Sequence, residues 1–423
     1  MTTKFNKIKI LLKTFFDWRR KNKKKLLFSA IHALLLLIAC YGLWNSPYTF
    51  SSESDFIKLF NITQNVSAGN NSLPDSLLLV NVSYDRQLID CSDEWGVAVG
   101  NTDITDRQKL LELFGYLAQD SSYRYIVCDV FFDASLTTEY DDSLFTLMAQ
   151  MPRLVVPMHT DGKPLPSQLA NKAAYANYKT NFVEDNFLKF QYLQDGKASI
   201  PLFIWKDLTS NSITSHGFWY AINGNLATNS IVLDFQTQMQ NSYHEDGSKD
   251  YLNLGVELLE ILREENTKDY FQDKIVLIGD LTERDIHSTI AGTMPGVLIN
   301  YNAYLMLCQN KLVLSGWLFF WLWLLFTGMT YLTVSKIKII DILEQKGILK
   351  NDILKLMLSF VEYSGILYIF NLWIYCYFLR FIGIFVISSY FAVIFKIGVE
   401  LYNMKFSKKI KGWLHKIIKL VIK

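Results

Sequence analysis

Six side chains able to ionise near neutral pH or to bind a cation stand where an α/β sheet would put chemistry. Asp85, Asp129, Asp133, Asp280, Asp285 and His287 each lie at or shortly after the end of a short apolar run, and Thr289 follows close behind. Parallel sheets bind ligands beyond the carboxyl ends of their strands. If these runs are neighbouring strands, the side chains converge on one rim. Carboxylates with one imidazole could hold a divalent cation. They could equally hydrogen-bond a polar ligand, or cap helices and brace loops. Asp129, read as lying inside its strand, is the structural member of the set. The residue types leave any metal or cofactor unidentified.

Spacing excludes several familiar enzymes. Asp129-Val-Phe-Phe-Asp133 does not have the D-x-D spacing of a haloacid dehalogenase. There is no G-x-S-x-G, no H-E-x-x-H and no glycine-rich phosphate loop. No catalytic activity is expected, with a metal-dependent envelope hydrolase as the weakest alternative.

The elements that must position these residues follow from periodicity. Ile275 to Ile278 is β-branched at three of four positions, as in a strand covered on both faces. Leu77 to Val82, Ile126 to Val130 and Leu154 to Pro157 read as further strands. Thr102 to Asp106 supplies a helix start, with the helix running to about Gln119. Asp141-Asp142 opens another, through Met148. Strand and helix alternate, which predicts a largely parallel sheet. After Gly279 the chain reads as an acidic loop punctuated by Gly292 and Pro295-Gly296, then a helix from Val297 to Leu307. Ile200 to Phe203, Phe218 to Tyr220 and Ile231 to Phe235 read as strands of an insertion, and Tyr251 to Arg263 as an amphipathic segment on the sheet. A short helix is expected around Asp55 to Asn61 and a mobile loop around Gly69 to Ser72.

Half of the 423 residues are hydrophobic, too many for an ordinary soluble protein, while the charged content is too high for a wholly membrane-buried one. The apolar residues concentrate in runs. Residues 1–25 form a basic cytoplasmic arm, and 26–44 a span long enough to cross the roughly 30 Å hydrocarbon core. Residues 45–311 form an extracytoplasmic domain. Spans follow at 312–334, 356–379 and 381–402, around a basic cytoplasmic loop at 335–355 and a basic amphipathic cytoplasmic tail at 403–423. The positive-inside rule places the basic segments in the cytoplasm. Their charge reads as attraction to the inner leaflet of the bilayer, and no nucleic-acid partner is expected. Of five cysteines, three fall in the middle region, which is no disulfide framework. His32 reads as a polar residue facing a neighbouring helix, and Asn371 as interhelical glue. Glu362 and Glu400 read as interfacial residues beside Lys355 and Lys396, with a coupled pair in a gating path as the alternative.

The pattern resembles the CHASE2 extracytoplasmic sensor family over about residues 47–311. Lys274, Ile275, Val276, Ile278, Gly279, Asp285, Thr289, Pro295, Gly296 and Val297 match its K-I-V-x-I-G and P-G-V stretches, so Asp129, Lys274, Gly279, Pro295 and Gly296 are motif positions. Upstream, Asp85, the run Val127, Asp129, Val130, Phe131, Phe132, and the pair Asp141, Asp142 match in the same order. The family's Trp-Pro-x-Arg motif is not kept: Gly96 and Val97 follow Trp95, and Arg107 is the candidate stand-in for the arginine. The resemblance implies an α/β extracytoplasmic domain with four transmembrane helices, one N-terminal and three C-terminal, in the inner membrane of a bacterium. The sensor of this family is usually fused to a kinase or cyclase, and the cytoplasmic segments of this sequence are too short to be one. The expectation is therefore a sensor that relays an envelope signal to a separate signalling or membrane-complex protein. The alternative is a scaffold subunit of an envelope complex. The aromatic spans would permit a homo-oligomer.

Overall fold

The computed structural model describes residues 2–48, 56–57, 73–92, 95, 97–159, 164–177, 187–239, 249–264, 270–348, 351–378 and 380–403. The chain divides into two compact units, one of residues 45–314 and one of residues 1–44 with 315–423.

The larger unit is a three-layer α/β/α domain. Helix α1 (Thr2–Asn45) precedes it. Strand β1 (Leu77–Asn81) leads into an antiparallel ribbon, β2 (Arg86–Ser92) and β3 (Ala98–Thr105). Then come helix α2 (Arg107–Gln119), β4 (Tyr125–Cys128), α3 (Asp141–Gln150), β5 (Leu154–Met158) and β6 (Ala173–Tyr175). An insertion holds β7 (Lys189–Gln191), β8 (Leu193–Gln194), β9 (Lys197–Ala198), α4 (Ile200–Thr209), β10 (Ile213–His216), β11 (Trp219–Ile222), β12 (Asn225–Ala227) and β13 (Ser230–Val232). The last part runs β14 (Leu252–Asn253), a wide π turn over Leu254–Leu258, α5 (Leu259–Glu264), β15 (Ile275–Gly279), the hairpin β16 (Ile286–Thr289) and β17 (Gly292–Pro295), and α6 (Gly296–Cys308).

The main sheet has the order β14-β1-β15-β4-β5-β6, with every pair parallel. Register explains the two-sided burial. Val80, Ile278 and Cys128 lie across from one another and face α2, α3 and α5 through Leu110, Phe114, Leu144, Met148 and Leu259. Their neighbours Leu79, Leu277 and Val127 point the other way, because strand side chains alternate, and α4 and α6 pack there. All six are buried. Each such burial contributes roughly 1.5–3 kcal/mol, the main stabilisation of the site's floor.

Several sequence expectations need correction. Ile200 to Phe203 is the first turn of α4, with Pro201 inside the helix start, where its missing N–H costs nothing. A short apolar run does not distinguish strand from helix. Residues 86–92 and 98–105 form the β2–β3 ribbon, and the acidic loop after Asp280 folds back as β16–β17. The segment from Tyr251 opens as a strand before it turns helical. Asp129 follows β4 rather than lying inside it. The expected short helix is described only at Phe56 and Ile57, and the Gly69 to Ser72 loop and the basic tail from Lys405 lie outside the described residues.

One stretch of the insertion holds both places where the domain's chain leaves it. The backbone N–H of Asn229 donates to Asn45 Oδ1 at 2.7 Å, and Ser230 Oγ to the Ser46 carbonyl at 3.3 Å. Leu314 N–H donates to the Leu226 carbonyl at 2.9 Å, and Thr228 N–H to that of Leu312 at 3.0 Å. Asn229 is itself fixed by Leu193, accepting from its N–H at 2.7 Å and donating to its carbonyl at 2.8 Å.

The smaller unit contains α1, α7 (Gly316–Ser335), α8 (Ile339–Gln345), α9 (Asp352–Phe378) and a continuous helical run made of α10 (Ile384–Ser389), a π segment (Tyr390–Phe395) and α11 (Lys396–Asn403). Among the described residues, three helices, over Asn22–Asn45, Gly316–Gln345 and Asp352–Phe378, are long and apolar enough to cross a membrane, and Ile384–Val399 is a shorter apolar one. The helix expected from Leu312 begins at Gly316. Several polar residues among these helices are paired, which lowers their cost in hydrocarbon. His32 bonds Thr330 Oγ1 at 2.8 Å and Tyr390 OH at 2.6 Å. Asn371 donates to the Ile382 carbonyl at 2.9 Å and accepts from its N–H at 2.8 Å. Lys355 pairs with Glu344 and Asp352, whereas Glu362 accepts from the Ile339 N–H. Glu362 is thus not the partner of Lys355.

Candidate functional site

Three adjacent strands, β1, β15 and β4, end at the same edge of the sheet. Asn81, fully buried at the end of β1, ties the exits of β1 and β15 to β14. Its Oδ1 accepts from Ser83 N–H, Ser83 Oγ and Leu281 N–H, and its amide donates to Asn253 at 2.9 Å. Above this edge lies a cavity of about 300 Å³. The β2–β3 ribbon supplies one wall, with Arg86 and Thr102 to Thr105. The exit of β4 supplies another, with Asp129 to Phe131, Asp133 and Leu136. Asp280 and Arg284 come from the exit of β15, and Arg107 from the first turn of α2.

The predicted residues divide between this cavity and its surroundings. Asp129, Asp133 and Asp280 line it. Asp280 accepts from Ser83 Oγ at 2.6 Å and from the N–H groups of Glu283 and Thr282. Burial works to raise its pKa, but the Ser83 hydroxyl and the surrounding backbone N–H groups outweigh it and hold the carboxyl below its usual value. Asp133 accepts from both the N–H and the hydroxyl of Ser135. Asp129 is fully enclosed; burial first, then the nearby negative charge of Asp285, pushes its pKa up to about 8 against a weak hydrogen bond from Asn300 at 3.4 Å. Asn300 Oδ1 is itself buried without a hydrogen-bond donor.

Asp85 is not in the cavity lining. It accepts from Lys109 Nζ at 2.7 Å and from Gly255 N–H at 3.2 Å, bracing the π turn against α2. Asp285 pairs with His287 Nε2 at 2.9 Å, on the hairpin. Its carboxylate lies against the first residue of α6, Gly296, where an added β-carbon would collide with it. Negative charge is favoured at a helix N-terminus. Thr289 closes the hairpin turn through Gly292 and Ala291. Pro295 precedes α6 as its cap residue, and a β-carbon added at Gly279 would stand 3.4 Å from the Val297 side chain. Lys274 is at the opposite end of β15, with its ammonium over the Tyr270 ring. Among the described residues, no three His, Cys, Asp or Glu side chains come together as metal ligands.

The basic half of the cavity is what reading the acidic rim alone misses. Arg107 is 1 % exposed. It stands 3.5 Å from Asp141 and stacks over Phe132 at 4.5 Å. Arg86 reaches Asp280 at 3.5 Å and Asp103 at 3.8 Å, and Arg284 pairs with Asp103 at 2.5 Å. The contact with Arg284 holds the Asp103 carboxyl below its ordinary pKa. These arginines come from three segments; Arg107 is the one singled out in the sequence, as the stand-in for the motif arginine, and its grouping with Arg86 and Arg284 is not visible in the spacing.

The chain thus combines a parallel α/β domain, with a cavity at its strand ends, and apolar helices long enough to cross a membrane. The family model of the CHASE2 domain matches residues 34–335. The chain belongs to the CHASE2 family, a family of sensor domains. No curated protein and no solved structure matches it.

Proposed function

We propose that this protein is a membrane-anchored sensor whose outer domain reads an envelope signal and passes it through its transmembrane helices to a separate partner protein. Residues 45–311 lie outside the cytoplasm, the chain crosses the inner membrane four times, and 335–355 and 403–423 lie inside. The basic character of residues 1–25, 335–355 and 403–423 favours this orientation.

The observation that carries the reading is the shared grip of Leu226 to Ser230 on Asn45–Ser46 and on Leu312–Leu314. A change in the domain's packing reaches both membrane connections through one element. The cavity is linked to that route by Asn300, which contacts Asp129 from α6, eight residues before the helix ends at Cys308. A bistable change at α6 would couple ligand to output, as an allosteric relay requires.

Gentle detergent extraction of the tagged full-length protein, with mass spectrometry of what co-purifies, tests it. A stoichiometric kinase, cyclase or transcription regulator is expected. Recovery of envelope-assembly proteins alone, or of none, would sink the relay in favour of a scaffold.

A further inference from the structure

The cavity at the strand ends has its acceptors occupied and its donors in surplus. Asp280 is met by Ser83 and two backbone N–H groups, Asp133 by Ser135, and Asp103 by Arg284. Arg107 is the opposite case. Its Nε and Nη1 are buried and have no hydrogen-bond partner. Asp141 at 3.5 Å supplies charge without a hydrogen bond, and Phe132 covers one face. Arg86, also in the lining, donates Nε to the Ser83 carbonyl at 3.3 Å and is loosely held by Asp280 and Asp103 at 3.5 and 3.8 Å. Guanidinium groups removed from water without acceptors are costly. At the wall of an open cavity, an acceptor arriving from outside relieves that cost, and a planar carboxylate matches the guanidinium fork.

The rest of the lining narrows the choice. Val130, Phe131 and Leu136 give the cavity an apolar side. Its 300 Å³ is at the small end of ligand pockets. Asp103, Asp133 and Asp280 are close enough to penalise a doubly charged phosphate. A divalent cation would meet three arginines and carboxylates already engaged. We propose that the cavity binds a small organic monocarboxylate, with Arg107 taking the carboxylate, Arg86 and Arg284 flanking it, and Val130, Phe131 and Leu136 covering its apolar part. This rests on the sensor reading for its purpose, while the binding itself requires no partner protein.

The test is thermal unfolding of the full-length protein in detergent with acetate, butyrate and benzoate, each at about 10 mM, because a ligand of the native state raises its unfolding temperature. The corresponding amides, sodium chloride at equal ionic strength, inorganic phosphate and calcium are the comparisons. At least one monocarboxylate should stabilise where its amide does not. Arg86→Gln and Arg107→Lys should weaken that binding about tenfold or more, and Arg263→Gln, at a surface pair with Glu112, should leave it unchanged. Should Arg107→Lys fail to fold, Arg86→Gln and Phe131→Ala carry the test. The proposal is overturned if no carboxylate outperforms its amide, if phosphate or calcium alone stabilises, or if the Arg86 variant binds as the wild type does. Carboxylate binding without a co-purifying partner would sink the relay and leave this site standing. A partner without carboxylate binding would do the reverse.

Discussion

Asp285 and Gly296 approach so closely that no β-carbon fits between them. The carboxylate of the β16–β17 hairpin lies at the first residue of α6, and the Gly296 N–H also donates to the Asp285 carbonyl at 2.9 Å. Gly296→Ala forces the hairpin away from the helix start and should cost about 2–3 kcal/mol. Asp285→Ala should cost less on its own, and the double variant should recover much of the Gly296→Ala loss, because the clash is with that side chain. Unfolding temperatures of the three variants decide this; additive losses would show that the contact is not the cause.

Asp129 and Asp280 should respond to pH in opposite directions. A raised carboxyl pKa means the native state holds a proton that the unfolded state has already released. Stability then falls as pH rises between the unfolded value near 4 and the native value of about 8. Asp129→Asn removes this cost, so the variant should match the wild type near pH 4 and exceed it by a few kcal/mol near pH 8. Asp280 has a lowered pKa, so its contribution is present above about pH 4 and is lost as pH falls through the lower native value. Ser83→Ala should weaken that contribution by removing the 2.6 Å hydrogen bond. Thermal melts across this range for the two variants are the check, and parallel profiles for Asp129→Asn and wild type would refute the first half.

Much of this architecture is legible in residue order, and the exceptions have physical causes. Ile275 to Ile278 reads as a strand buried on both sides because it has no polar alternation, and it is central in the sheet. Asp106 caps α2 through Lys109 N–H, as its place before an apolar periodic run suggests. The Asp195-Gly196 turn has both residues at positive φ, the chemistry of a two-residue hairpin. The β2–β3 ribbon escapes notice because its side chains are not sorted into an apolar and a polar face: Leu88 and Val99 are exposed. Ser288 pairs with Thr293 in a hairpin whose four pairs include a glycine and a proline, a weak strand signal. The grouping of Arg86, Arg107 and Arg284 is set by tertiary approach, which spacing along the chain does not encode.

Asn229 is the joint of the element that holds both points where the chain leaves the α/β domain. It is buried, and its side chain satisfies both the N–H and the carbonyl of Leu193. Asn229→Ala leaves those two half-buried groups without this partner and should cost about 1–3 kcal/mol. Its more specific consequence is loosening of Asn45–Ser46 and Leu312–Leu314. Hydrogen exchange of the detergent-solubilised protein should accelerate at Leu314, whose N–H is otherwise held by the Leu226 carbonyl. Unchanged exchange there, with the global loss of stability present, would separate Asn229 from the grip on the C-terminal connection.

Asn371 tests whether the smaller unit depends on its polar pairings. Its side-chain amide mimics a strand neighbour for Ile382, giving one hydrogen bond and receiving one. Both partners are buried, in the short connection between α9 and α10. Asn371→Leu is close in volume and more apolar, so a helix stabilised by hydrophobicity alone should tolerate it. Loss of two backbone pairings should instead destabilise the unit by about 1–3 kcal/mol. Ser364→Ala is the control: it removes a single hydroxyl contact, with Ser388 at 3.0 Å, and should cost under about 1 kcal/mol. The measurement is resistance to unfolding in mixed micelles of increasing SDS fraction. Equal resistance of the Asn371 and Ser364 variants would mean that the connection is held by apolar packing around Phe381 and Ile382, both buried, rather than by the asparagine.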